Sequence, residues 1–140
     1  MKTKVRIYEA CVLSTLLYAS ETWTTYKSQE TKLNTFHLRS LRRFLNMKWQ
    51  ERVSNCRVIE MAWLTSVTTT LNRRRMRWLG HVHRMNNTSI PKQCLFGELP
   101  SGQRCQSTPK FHYKDVCKDT MKHLEIDPKS WKRLASYRAA

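Results

Sequence analysis

The sequence predicts an all-α protein of about six helices, a helical bundle with a small helical appendage at its C-terminal end. Three observations carry this. Only three Gly and four Pro occur in 140 residues, too little turn chemistry for a many-stranded β fold. Apolar residues recur at i, i+3 and i+4 through most of the chain rather than alternating. Five Trp, five Tyr and four Phe need an interior to pack in, which argues against a wholly disordered chain.

Residues 3–20 read as a buried helix. Ile7, Cys11, Ser14 and Tyr18 line one stripe, while Val5, Val12 and Leu16 make the opposite side apolar too; a helix apolar on most faces belongs in a core. Glu21 to Tyr26 is β-branched and aromatic and reads as a packed loop. A second helix is expected over residues 28–47, with Leu33, Phe36, His37, Leu41, Phe44 and Leu45 inward and Arg39, Arg42 and Arg43 mostly away from that stripe. Ser54 offers an N-cap for a short helix over 55–63, with Val53 and Val58 placed as a hydrophobic staple and Val58, Ile59 and Ala62 inward. A longer helix follows over 67–85, its apolar positions being Val67, Leu71, Trp78, Leu79, Val82 and Met85. After the turn Asn86-Asn87-Thr88, Ile90-Pro91 opens a helix that Gly97 can close with a left-handed residue. Residues 98–110 hold Pro100, Gly102 and Pro109 among polar neighbours and read as a linker. Tyr113, Val116, Cys117, Met121 and Leu124 then mark a helix within 111–124. Asp127-Pro128 reads as N-cap and N1 of a last helix carrying Trp131, Leu134, Ala135 and Arg138. The expected organisation is a larger helical domain over 1–97, a linker over 98–110 and a small helical segment over 111–140.

The charge balance points to a partner. Twenty-six Lys and Arg against ten Asp and Glu give a net charge of +16, a field that attracts polyanions and repels acidic surfaces. Anionic lipid is the weaker choice, since the long helix lacks a wide uninterrupted apolar face. The most apolar stretch, Ala10 to Ala19, is half of the ~20 residues a bilayer span requires, and Arg6 and Glu9 interrupt any signal-peptide core. The five cysteines are odd in number, scattered and never in a Cys-x-x-Cys pair, unlike a disulfide-stapled secreted domain. An intracellular location, nucleus or cytoplasm, is the expectation.

Catalytic chemistry finds little to stand on. The acids are dispersed; Asp115 and Asp119 share a helix face at i, i+4 but are flanked by Lys114 and Lys118, the pattern of a solvated face rather than a metal site. No phosphate-binding glycine loop, nucleophile elbow or His-Glu-x-x-His occurs. The expectation is a chain that is not an enzyme by itself and takes no cofactor or metal. Cys94, Cys105, His112, Cys117 and His123 crowd the last third, but structural zinc sites present ligand pairs two to four residues apart. His112 and Cys117, the nearest pair, do not form such a knuckle, and Cys117 reads as a core residue; zinc binding by this set stays open. His81 and His83 point to different sides of their helix.

The basic clusters are the most informative feature. Arg73, Arg74, Arg75 and Arg77, joined by His81 and Arg84 on the same helix and by Arg39, Arg42 and Arg43 on another, are candidates for phosphate contact. Trp78, with Trp49, Tyr26 and His83, could stack on unpaired bases. The plainer alternative is a solvated basic surface, and tryptophans are individually more often core than platform.

Longer strings add a resemblance. Residues Tyr8-Glu9-Ala10-Cys11-Val12-Leu13-Ser14-Thr15-Leu16-Leu17-Tyr18-Ala19-Ser20-Glu21-Thr22-Trp23 resemble the segment that follows the palm in non-LTR retrotransposon reverse transcriptases of the LINE type, RTE-like and Jockey-like. So do Leu33-Asn34-Thr35-Phe36-His37-Leu38-Arg39-Ser40-Leu41-Arg42-Arg43, Arg75-Met76-Arg77-Trp78-Leu79-Gly80-His81-Val82-His83-Arg84-Met85 and Tyr113-Lys114-Asp115-Val116-Cys117-Lys118. Each string is modest alone; their order along nearly the whole chain is specific.

The resemblance implies the thumb and following C-terminal region of an RNA-directed DNA polymerase, here truncated, with the catalytic palm lying upstream of these residues. A thumb of that kind is helical and grips the template–primer duplex. It also implies backbone contact with RNA, DNA or an RNA–DNA duplex, a docking surface for a separate palm and fingers region, and no catalysis by this piece. Arg39, Arg42, Arg43, Arg75, Arg77, Trp78, His81 and Arg84 fall within the matching strings. Two departures stand out. Ala19 occupies a position where the family commonly has Gly. The basic loop expected ahead of the Tyr-Lys-Asp string is Gly102-Gln103-Arg104-Cys105-Gln106-Ser107-Thr108-Pro109-Lys110, poorer in basic residues than the family pattern. The alternatives are a helical protein-interaction module and a retroelement relic without function.

Overall fold

A computed structural model describes residues 2–97 and 112–137. Every regular element among them is helical, so the fold class is all-α as the periodicity predicts. The chain divides into two compact units. One comprises residues 1–20 and 25–73, the other residues 21–24 and 74–140.

In the first unit the opening helical stretch changes type twice. Helix α1 (Lys2–Ile7) passes into a π-helical segment (Tyr8–Leu13) and then into α2 (Ser14–Leu16). A π turn closes i→i+5 rather than i→i+4, and this rotates the buried face away from the predicted stripe. Val5, Tyr8 and Leu17 are buried, with Leu13 and Leu16 half-buried. Ile7, Cys11, Val12 and Tyr18, expected inside, are exposed. The Ser14 hydroxyl donates to the Ala10 carbonyl and the Thr15 hydroxyl to the Cys11 carbonyl, taking up acceptors that the π turn displaces.

Helix α3 (Lys27–Phe44) begins where the Gln29 side-chain oxygen accepts from the Tyr26 N–H at 3.0 Å. It buries His37, Leu38 and Leu41. Phe36, predicted inward, is 46% exposed. Leu38 is buried instead: His37 and Leu38 flank Leu41 at i−4 and i−3, whereas Phe36, at i−5, lies well off that face. Helix α4 (Asn55–Ala62) starts as predicted: the Ser54 hydroxyl accepts from the Arg57 N–H at 3.4 Å. Tyr8, Leu38, Leu41, Val58 and Ala62 form one core cluster, with Val53 packed on it. Leu17 packs with Val67 and Leu71 in a second cluster, joined by Leu16 and Leu33. Each fully buried Leu or Val stabilises the unit by about 1.5–3 kcal/mol.

Helix α5 (Val67–Arg84) carries the boundary between the units, after Arg73. The second unit adds α6 (Ile90–Phe96), α7 (Tyr113–His123) and α8 (Trp131–Ser136). Leu79, Cys117 and Met121 are its core, with Met76, Leu95, Tyr113, Ile126 and Trp131 packed around them. This grouping differs from the sequence-based division at residue 97: α7 and α8 share their core with the latter half of α5. The predicted linker, 98–110, lies outside the described residues.

Two helix ends follow another chemistry than expected. Gly97 does end α6, but at φ −61° rather than in the left-handed region. Its need for glycine is steric, since a Cβ there would collide with the Gln93 carbonyl oxygen. Asp127 and Pro128 precede α8 instead of opening it. The Asp127 carboxylate accepts from the Lys129 N–H at 3.0 Å and its carbonyl from Ser130 and Trp131, forming a turn that leads into the helix.

Candidate nucleic-acid interface

An α-helix turns by about 100° per residue, so spacing along α5 decides which basic residues can meet a polyanion. Arg73, Arg77, His81 and Arg84 stand at i, i+4, i+8 and i+11 and lie within one narrow face. All four are exposed. Arg75 stands nearly opposite, at i+4 from Leu71 and i−4 from Leu79, on the face that also carries Val82. It is 1% exposed. This corrects its assignment as a phosphate-contacting residue: its guanidinium is interior. Burial pushes the Tyr113 hydroxyl pKa well up and the Cys117 thiol up to about 11, and the Arg75 charge draws both partly back. Tyr113 donates to the Glu21 carbonyl at 2.7 Å, tying residues 21–24 to α7.

The remaining α5 candidates are intermediate. Arg74 is half-buried, and so is Trp78, whose ring lies 5.7 Å from that of His81. Arg84 donates to the Ala135 carbonyl at 2.7 Å, which fixes one end of its guanidinium against α8.

Helix α3 builds a second basic face by the same arithmetic. Lys32, Phe36, Arg39 and Arg43, at i, i+4, i+7 and i+11, are all exposed. Neither Lys32 nor Phe36 is among the sequence-based candidates for nucleic-acid contact. Phe36 was assigned to the core because it fits the apolar spacing, yet its alignment with Lys32, Arg39 and Arg43 was equally legible. Arg42 is different: it donates to the Val53 carbonyl at 3.2 Å and to Asn55 Oδ1 at 2.7 Å, bracing the entry to α4. Among the proposed stacking residues, Tyr26 is 51% exposed. His83 is half-buried between Phe96 and Trp131, and the Trp49 side chain lies outside the described residues.

No group of three or more His, Cys, Asp or Glu side chains able to hold a metal occurs among the described residues. Cys117 is in the core, Cys94 is exposed, and Cys105 lies outside the described residues. No helix among the described residues is long and apolar enough to cross a membrane. Compared with protein-family models, curated proteins and solved structures, the chain matches none.

Proposed function

We propose that the chain binds nucleic-acid backbone, as the thumb-like part of a non-LTR retrotransposon RNA-directed DNA polymerase, and performs no catalysis by itself. The observation that carries the proposal is the exposed stripe Arg73, Arg77, His81 and Arg84 on α5, in a chain of net charge +16. A stripe of this kind meets successive phosphates without reading bases. The family part of the proposal rests on the ordered resembling strings, and the strings also contact one another in the fold. Tyr8 of the first string hydrogen-bonds His37 of the second at 3.0 Å, and Leu79 of the third packs on Cys117 of the fourth.

The test is fluorescence anisotropy of the purified chain with a labelled RNA–DNA primer–template across a salt series. Sequence-independent binding with a steep negative salt slope is the expected result. No binding at low salt by a folded helical protein would overturn the proposal, and metal-dependent primer extension would overturn its non-catalytic part.

One observation favours the second reading, a helical docking module. Ile7 is 58% and Val12 40% exposed on one side of the opening helical stretch, beside exposed Cys11. On that reading the partner is the palm and fingers region, and Ile7→Asp abolishes co-purification with it while leaving nucleic-acid binding unchanged.

A further inference from the structure

The second unit contains an open cleft of about 500 Å³ lined by His83, Asn87, Lys92, Gln93, Phe96 and Lys132. Its walls come from the end of α5, from α6 and from α8. Among the described residues no acidic side chain lines it. The Lys92 ammonium donates to the His83 and Met85 carbonyls at 2.9 and 2.8 Å. It is thereby pinned at the C-terminal end of α5, where a cation is favoured by the helix dipole, with two of its three N–H donors used. The His83 ring is held between Phe96 and Trp131, centroids 6.4 and 5.3 Å away. Burial first, and then the charges of Lys92, Lys132 and Arg84, hold its pKa below the ordinary histidine value.

We infer that this cleft is a phosphate-binding site. Two lysines, Lys92 and Lys132, and the His83 imidazole line one concavity, with no carboxylate among its described lining residues. The Asn87 and Gln93 side chains also line it, the Gln93 amide donating to the Thr88 carbonyl at 3.4 Å, and a bound dianion or phosphodiester offsets the cationic charges that add to burial in lowering the His83 pKa. An anion here favours the imidazolium, which adds a charge-assisted donor to those of Lys92 and Lys132. The site rests on the proposed nucleic-acid reading for its source of phosphate, a strand backbone or a strand terminus. It lies apart from the α5 stripe in its residues, so the two can be tested separately.

The experiment follows the His83 ring resonances by NMR in the full chain during three titrations: inorganic phosphate, a 5′-phosphorylated oligonucleotide, and the same oligonucleotide without its 5′-phosphate. Asn87→Asp and Lys132→Glu, both at exposed positions, place a carboxylate in the cleft without removing the structural Lys92 contacts. Expected are a shift of the His83 signals with phosphate, a rise in its pKa, and a loss of oligonucleotide affinity of about three- to tenfold in each variant. A response to both oligonucleotides identifies a backbone phosphate, and one to the phosphorylated strand alone identifies a terminus. Inorganic-phosphate binding without any oligonucleotide binding retains the site and removes the nucleic-acid reading. Unmoved His83 signals and unchanged affinity in both variants, with the primer–template still bound, overturn the site and leave that reading standing.

Discussion

Arg75 and Arg77 are two residues apart, and the structure gives them opposite roles. Replacing Arg75 by Ala removes an interior guanidinium beside Tyr113 and Cys117 and should cost about 2–4 kcal/mol of stability by denaturant unfolding. Arg77→Ala should leave stability within about 0.5 kcal/mol while weakening nucleic-acid binding. Trp63 makes a different point. It ends α4 at φ 55° and is 89% exposed, a left-handed position that costs a bulky residue about 1–2 kcal/mol. Trp63→Gly should therefore raise the unfolding midpoint, since little packing is lost with the indole. His37 sets a pH dependence. Burial lowers its pKa below the ordinary 6.5, partly offset by the Thr65 backbone. The unfolded chain then binds the proton more readily than the folded one. The contribution is full above 6.5 and is lost as the pH falls from there through the folded-state value. Unfolding midpoints at pH 7.5 and 5.5 should differ less in His37→Gln than in the parent chain.

At the scale of the element, local rules and tertiary packing divide the work. Ser54 caps α4, and the bounds of α3 and α5 lie close to those the periodicity predicts, because caps and apolar spacing act within four residues. The π-helical segment could not be read in that way. It turns Tyr8 onto His37 and leaves Ile7 outside, and only the contact between the two helices makes that register the better one. Phe36 on α3 is the counterpart: the spacing that suggested the core also aligns it with Lys32, Arg39 and Arg43. If that face meets an unpaired strand, Phe36→Ala should weaken binding to a single-stranded overhang by about 1–3 kcal/mol per stacked base. Blunt duplex affinity and unfolding stability should be largely unchanged. A Phe36→Ala variant that unfolds more readily and binds normally would return this residue to a packing role.

For the whole molecule, the net charge of +16 sets the expectation of polyanion binding, but the exposed stripes decide how many phosphates are met. Each neutralised phosphate contributes about 0.9 to the salt slope on duplex DNA. Replacing Arg73, Arg77 and Arg84 together by Ala should lower that slope by about 2–3 and reduce affinity alike for all sequences. The same triple change leaves the charge of Arg75 in place, so a comparison with total charge alone would misjudge the effect. An unchanged slope would remove α5 from the interface.

Helix content, most helix bounds, the Ser54 cap and the basic character follow from the sequence by itself, since each depends on near neighbours or on composition. The placement of Arg75 was also legible there, at four residues from both Leu71 and Leu79, once the helical face was weighed above the charge of the cluster. Tertiary structure decided what no local rule could. It joined α7 and α8 to the latter half of α5, because their apolar faces have to be buried on one another across a long separation in the chain. It also gathered His83, Lys92 and Lys132 around one cleft. Helical spacing orders residues along a single axis, whereas the meeting of three axes depends on which side chains fill the space between them.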